Sequence, residues 1–402
     1  MKYYGFNPFI RSFENGVEGI LYNLLEKEIL RVDYHLVSLF SGKVYKSIEE
    51  IERLSTGFRI SKSELRDIIE EGLREGILLE LEAPYWRNEA IPAMERQLLK
   101  QEILFFFRNI ILQPSGICDR GCSFCNSYIN CCCFADSNSW SRSQLDNLLK
   151  DLRRYRGSLG CVHIMGGNPL LYDDLAYLLG ALKNLGFKVI ELKIPFSKLL
   201  FNKADVLGNL KKELRDILKL TYMIFTSFAD IDESVLRVLL DIESDPVFEL
   251  MIDGDRPDKT SEIENILGNN RVSKNYLLRK DRSNIEWYAK SVNEDFLEGL
   301  SLEDFYFRKS LHRCWGNSFS INSRGDIRPC LWSDTIVGKW NNGFVIDYFD
   351  DLENKEKFWL RNHLGNIQGC SGCIYRFGCR DCRVAAEFLS NKKNTKNPLC
   401  NK

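Results

Sequence analysis

The run Cys118-Asp119-Arg120-Gly121-Cys122-Ser123-Phe124-Cys125 gathers three of the chain's 14 cysteines in the spacing CxxxCxxC. Three thiolates so close along a backbone can converge on three irons of a [4Fe-4S] cube, which leaves the fourth iron without a protein ligand. A metal with an open position can hold a second molecule.

Working outward from that run, strand and helix patterns alternate. Asn109 to Pro114 reads as a strand that ends just before the cysteines, Ser143 to Tyr155 as a helix, and Cys161 to Met165 as a strand. Leu171 to Leu185 follows as a helix and Lys188 to Pro195 as a strand. The alternation continues through Thr221 to Phe228, Glu233 to Leu240, Val247 to Ile252, Lys259 to Leu267 and Ser273 to Lys280. Repeated strand-helix units imply a parallel sheet. After the second strand comes Gly166-Gly167-Asn168-Pro169. Glycines there let the backbone approach a ligand closely and expose its peptide groups, although the same run is also a good turn.

A second cysteine constellation begins at Cys314. Ten residues separate it from Gly325 and four more precede Cys330, and Phe319 to Pro329 reads as a hairpin turning at Ser323-Arg324-Gly325. Further on stand Cys370-x2-Cys373-x5-Cys379-x2-Cys382, and Cys400 closes the set. Seven cysteines suit two iron-sulfur clusters better than one zinc site, which needs four; two zinc ribbons are the alternative. Cys161 opens a strand and is expected to be a small core residue, and Cys131 to Cys133 are expected to pack near the first cysteine loop. Among four histidines, His312 is nearest to a cysteine of these sets, and its neighbours in the sequence give it no role.

CxxxCxxC with an aromatic before its last cysteine resembles the radical SAM enzymes, and Gly166-Gly167-Asn168-Pro169 resembles their GGEP motif, with Asn168 replacing glutamate. The resemblance implies a partial (β/α)6 barrel, α/β in class, with its chemistry at the carboxyl ends of the strands. It implies a [4Fe-4S] cluster on Cys118, Cys122 and Cys125 whose open iron binds S-adenosylmethionine. Gly166, Gly167, Asn168 and Pro169 would then receive the amino group, Phe124 would lie against the adenine, and Ser227 would reach the ribose. Asn keeps a carbonyl acceptor and lacks the charge. The later cysteines resemble the SPASM domain, which implies up to two auxiliary [4Fe-4S] clusters. Family connectivity gives one of them Cys370, Cys373, Cys379 and Cys400, and the other Cys314, Cys330 and Cys382. The final two-residue gap, where the family has three, bears on Cys382. An electron donor such as flavodoxin or ferredoxin is implied as well.

Residues 1–85 contain no cysteine. An extended segment reaches Phe13, Glu14-Asn15-Gly16 signals a hairpin, and Val17 to Tyr22 alternates back. Ser47-Ile48-Glu49-Glu50 opens a helix with a capping box, Ser61 to Glu75 forms another that closes at Gly76, and Ile77 to Leu81 reads as a strand. This order resembles the winged-helix precursor-peptide recognition domain fused to many peptide-modifying enzymes, which implies a precursor peptide with a leader as partner. A purely structural cap is the plainer reading. Glu64, Asp67, Glu70 and Glu71 on the second helix would repel phosphate, which argues against DNA.

With 55 basic and 56 acidic residues the formal net charge is -1, so the balance favours neither nucleic acid nor an anionic membrane. At 44% hydrophobic the chain is globular, and its amino terminus carries no apolar signal core, so a soluble, cytoplasmic protein is expected. The organisation expected is a winged-helix-like domain over 1–85, a linker helix over 86–104, the barrel over 105–300 and the auxiliary-cluster domain over 301–402. The function these readings imply is reductive cleavage of S-adenosylmethionine and hydrogen abstraction from a ribosomal precursor peptide, forming a thioether or carbon-carbon cross-link. The resemblance names no catalytic acid or base. Oxidation of a protein residue in the manner of sulfatase maturation, a small-molecule substrate, or a non-catalytic iron-sulfur regulator are the alternatives.

Overall fold

The computed structural model describes residues 1–86, 109–120, 122, 127–129, 136–153, 160–214, 216–226, 232–243, 245–254, 257–268, 270–294, 296–316, 318–340 and 362–400. The expected linker helix falls almost wholly outside them.

Six parallel strands lie side by side in chain order: β7 (Asn109–Leu112), β8 (Cys161–Ile164), β9 (Val189–Pro195), β10 (Leu218–Phe225), β11 (Val247–Ile252) and β12 (Arg271–Tyr276). The fold is therefore α/β with a large parallel sheet. Beyond β7 the sheet takes up β13 (Ser318–Ile321) in parallel, and then β14 (Asp326–Arg328) and β15 (Gly338–Lys339) antiparallel, nine strands in all. Because β13 adds to β7, the six strands do not close on themselves. The hairpin expected at Ser323-Arg324-Gly325 joins β13 to β14, with Gly325 at φ +78° supplying the left-handed turn residue.

Each strand has two faces. Ile110, Val162, Ile190, Leu192, Leu220, Tyr222 and Leu250 point to one face and merge with the helices Arg142–Leu152 and Leu175–Leu185 in the largest apolar core. The opposite face is polar in its amino-terminal half. There His163 meets Glu191 and lies 3.2 Å from Asn109, Thr221 donates to Glu191 at 2.7 Å, and Lys193 pairs with Glu249 at 2.7 Å. Toward the carboxyl ends the same face turns apolar and sulfur-rich, with Met165, Met223, Phe225, Met251 and Leu277 in one buried cluster.

The amino-terminal segment has a core of its own, in which Phe6, Leu21, Phe40, Ile51, Leu65 and Leu78 are buried. The extended segment expected to reach Phe13 is two strands. β1 (Tyr3–Phe6) pairs with β6 (Leu78–Leu81) and β5 (Lys46–Ser47), whereas β2 (Ile10–Glu14) pairs with β3 (Glu18–Asn23). Pro8, which cannot donate to a ladder, stands between β1 and β2. The turn at Gly16 is where it was expected. Edge strand β4 (Glu28–Asp33) and the short helix α1 (Tyr34–Phe40) were not anticipated; seven residues carry too little periodicity to stand out. Helix α2 (Ile48–Gly57) is capped by Ser47, and the full reciprocal box forms one helix later, between Ser61 and Glu64 at the start of α3 (Lys62–Arg74).

This segment docks on the cysteine-rich end of the chain. Tyr22 is fully buried among Phe13, Phe305 and Phe377 and donates its hydroxyl to the Ile374 carbonyl at 2.8 Å. Arg11 donates to the Tyr306 hydroxyl at 3.0 Å, and the Tyr375 hydroxyl bonds Glu18.

Candidate functional site

The strand β7 ends at Leu112 and leads directly into the cysteine loop, in which Cys118 and Cys122 are partly buried. Cys125, Phe124 and Ser227 lie outside the described residues, as do Cys131 to Cys133. Cys161 is partly buried at the start of β8.

Gly166 and Gly167 follow β8 with φ of +91° and +55°. A side chain on Gly166 would collide with Gln113, and one on Gly167 with the backbone of Gly116 and Ile117. The two glycines therefore allow the second loop to lie flush against the first. Asn168 then binds them together. It is fully buried, its N–H donates to the Ile117 carbonyl at 2.7 Å, and its Nδ2 donates to Asp119 Oδ1 at 2.7 Å. Its Oδ1 accepts from the Leu170 N–H at 3.1 Å and so caps the short turn Pro169–Leu171. The carbonyl read from the sequence as an acceptor for a ligand is thus engaged within the loop, and the carboxylate beside it belongs to Asp119.

Asp119 is also held from the next strand, where Ser197, just past β9, donates to Oδ2 at 2.9 Å. A pocket of about 300 Å³ opens here at the carboxyl ends of β9 and β10, lined by Asp119, Arg120, Phe196, Ser197 and Phe225. The guanidinium of Arg120 stands over the Phe225 ring, 5.8 Å from its centroid, and its Nη1 is buried with no hydrogen-bond partner among the described residues. A carboxylate and a guanidinium lining one pocket with the Phe196 and Phe225 rings complement a zwitterionic amino acid end and a flat heterocycle. The sequence reading passed over Asp119, Arg120 and Ser197. The missing charge at Asn168 was the signal, since it called for a carboxylate nearby.

The inner face of the sheet is polar below and apolar above. Burial opposes charge on His163, and its contacts with the Cys161 sulfur and the Glu191 carboxylate more than offset that, raising the imidazole to about 9. Burial also disfavours the Glu191 carboxylate, yet His163, Lys193 and Thr221 hold it at about 2.

The later cysteines fall into two neighbourhoods. Burial raises the Cys370 thiol to about 11, and among its charged neighbours, after Asp381 and Arg383, are Cys400 and Cys373. Burial likewise raises Cys379, which senses Asp381, Cys400 and Cys370. In the other neighbourhood burial raises Cys382 to about 12, with Cys314 and Asp381 adding to it, and raises Cys330, which senses Cys382 and Cys314. Cys330 is buried and Cys314 opens to solvent. Among the described residues, no three His, Cys, Asp or Glu side chains converge tightly enough to hold a single metal ion.

A groove of about 740 Å³ lies between β4 and α3, with Leu30, Val32, Ile68 and Ile77 on its walls and Glu28 and Glu71 at its sides. β4 ends its three-stranded sheet, so no strand among the described residues pairs with its outer edge. The acidic residues Glu64, Asp67, Glu70 and Glu71 of α3 are all exposed.

The class these features define is a mixed α/β fold built around a large parallel sheet. Among solved structures, the chain shares its fold with a histidine-tagged anSMEcpe with bound AdoMet, at a TM-score of 0.50 and 12% identity over 72% of this chain and 92% of that one. SuiB of Streptococcus suis is also similar. Bound to S-adenosylmethionine it gives a TM-score of 0.48 at 17% identity, and bound to its precursor peptide SuiA 0.47 at 16%, each over 99% of this chain and 100% of that one. At such identities the likeness is one of fold. No family model and no curated protein matches the chain.

Proposed function

We propose that this chain is a radical SAM enzyme that modifies a ribosomally made precursor peptide. The observation that carries the reading is the contact between two loops. Gly166-Gly167-Asn168 is clipped to Ile117 and Asp119 of the CxxxCxxC run, at the carboxyl ends of parallel strands, where such sheets place their ligands.

Cys118, Cys122 and Cys125 would hold three irons of a [4Fe-4S] cluster, and the two thiols of that set that are described stand partly buried on the required loop. Bound there, such a cluster would supply the electron for reductive cleavage of S-adenosylmethionine, chemistry that gives access to hydrogen abstraction. The chain's own residues orient and enclose. Asp119, braced by Asn168 and Ser197, receives the ligand's ammonium, and Arg120 receives its carboxylate. Phe124 and Ser227 serve the adenine and the ribose. Met165, Met223, Phe225 and Met251 give the space above the sheet an apolar wall, which excludes water and offers no acidic proton.

The 1–85 segment acts as the peptide-recognition domain, of winged-helix type, with 105–300 the barrel and 301–402 the SPASM domain. A leader peptide adds as a strand to the outer edge of β4, where main-chain hydrogen bonds give affinity and the apolar groove against α3 takes alternate side chains. Cys370, Cys373, Cys379 and Cys400 hold one auxiliary cluster. Cys314, Cys330 and Cys382 hold the other, and these are the partitions in which the thiols sense one another. The product is a thioether or carbon-carbon cross-link, with the electron delivered by a flavodoxin or ferredoxin.

Reconstituted, reduced protein incubated with S-adenosylmethionine is expected to release 5'-deoxyadenosine, and Cys122→Ala to release none. Release by Cys122→Ala at the wild-type rate would overturn the assignment.

A further inference from the structure

Between the two groups of cysteines lies a set of buried polar side chains that the proposed function leaves unused. Arg383 is among the largest fully buried side chains, 1% exposed. Its Nε donates to Asp381 Oδ2 and its Nη1 to the Thr395 carbonyl at 2.9 Å, while Nη2 has no hydrogen-bond partner among the described residues. His312 is equally enclosed. Its Nδ1 accepts the backbone N–H of Cys314 at 3.2 Å and of Trp315 at 3.3 Å, so the neutral ring carries its proton on Nε2. That Nε2 also lacks a hydrogen-bond partner among the described residues and stands 3.9 Å from Asp381 Oδ2.

A buried ion pair with spare donors adds little to stability, because apolar residues of the same volume serve a core as well or better. Its position gives it another use. Asp381 follows Cys379 of one set by two residues and, with Arg383, flanks Cys382 of the other, while His312, 3.9 Å from Asp381, accepts the backbone N–H of Cys314. The pair therefore spans both neighbourhoods.

We propose that the Arg383–Asp381 pair is a charge bridge between two auxiliary iron-sulfur clusters that sets the reduction potential of both, with Arg383 Nη2 and His312 Nε2 as hydrogen-bond donors to cluster or cysteine sulfur. The inference rests on the reading that the two cysteine sets hold such clusters. Reduction adds negative charge to an already anionic centre, so a guanidinium or N–H donor beside it favours the reduced form and a carboxylate opposes it. His312 is a donor and not the missing fourth ligand of the Cys314, Cys330 and Cys382 set. To ligate, Nε2 would have to shed its proton, and Nδ1 cannot take that proton while it accepts two backbone N–H groups.

The test uses the full chain reconstituted anaerobically with iron and sulfide. Iron is counted first, and potentials are then read by redox titration followed by electron paramagnetic resonance. Wild-type protein with no more iron than the Cys118 set can hold would remove the auxiliary clusters and this inference with them. With that iron present, Arg383→Met is expected to move the auxiliary potentials down and Asp381→Asn to move them up, leaving the cluster of the Cys118 set where it was. Shifts of the same sign, or none, would overturn the charge bridge. Should Arg383→Met fail to retain iron, the near-isosteric Asp381→Asn decides by the sign of its shift alone. For His312, a weak nitrogen coupling is expected; the strong coupling of a directly bonded nitrogen, lost in His312→Gln, would overturn its role as donor.

Discussion

At the scale of single residues, the proposed site depends on the carboxylate of Asp119. Asp119 is fixed by Asn168, 49 positions away, and by Ser197, 78 positions away, so replacing it tests the geometry directly. Asp119→Asn is expected to weaken S-adenosylmethionine binding about tenfold or more in equilibrium dialysis, since a charge-assisted contact to the ammonium becomes a neutral one. Unchanged binding would remove Asp119 from the site. Gly167→Ala should cripple binding more broadly, because φ of +55° and the Ile117 carbonyl both exclude a side chain there. The cysteine and glycine motifs were legible in the sequence because chain spacing alone defines them. The setting of Asp119 was not, since its contacts form only once the fold brings Asn168 and Ser197 to it.

At the scale of elements, the parallel strands were legible within a few residues because their apolar runs are short, buried and bounded by turns. The expected strand from Val247 to Ile252 matches β11 residue for residue. The helix Ala204–Glu213 escaped notice, as it buries only Leu207 and Leu210 and contains Gly208, a thin signal for any pattern. The polar ladder inside the sheet carries a pH prediction. His163 is raised in the folded state from 6.5 to about 9, so its contribution is whole below pH 6.5 and is lost as pH rises to 9. Glu191, lowered from 4.5 to about 2, contributes above pH 4.5 and loses that contribution as pH falls below it. Urea unfolding should therefore show a plateau between these limits and an alkaline decline on the order of 2 kcal/mol, flattened in Glu191→Gln. An alkaline slope identical in wild type and Glu191→Gln would show that the pair does not govern it.

At the scale of the whole molecule, the amino-terminal segment is not loosely tethered. Tyr22 and the Ile374 carbonyl are 352 positions apart, and no pattern within either stretch announces their contact. Tyr22→Ala removes a ring packed against Phe13, Phe305 and Phe377 together with one buried hydrogen bond, and should cost roughly 3–5 kcal/mol. Limited proteolysis should then release roughly the first 80 residues ahead of the rest. Equal resistance in wild type and variant would mean that the docking surface contributes little. The architecture so held places a groove of about 740 Å³, a pair of thiol neighbourhoods and the two-loop pocket in one chain. In the proposed function the Cys118, Cys122 and Cys125 loop carries a cluster with one iron open to S-adenosylmethionine. The most direct measurement is the electron paramagnetic resonance spectrum of the reduced, reconstituted protein before and after that ligand is added. A cubane signal that changes on addition, and is absent from Cys118→Ala, is the result expected. A spectrum indifferent to the ligand would contradict the account.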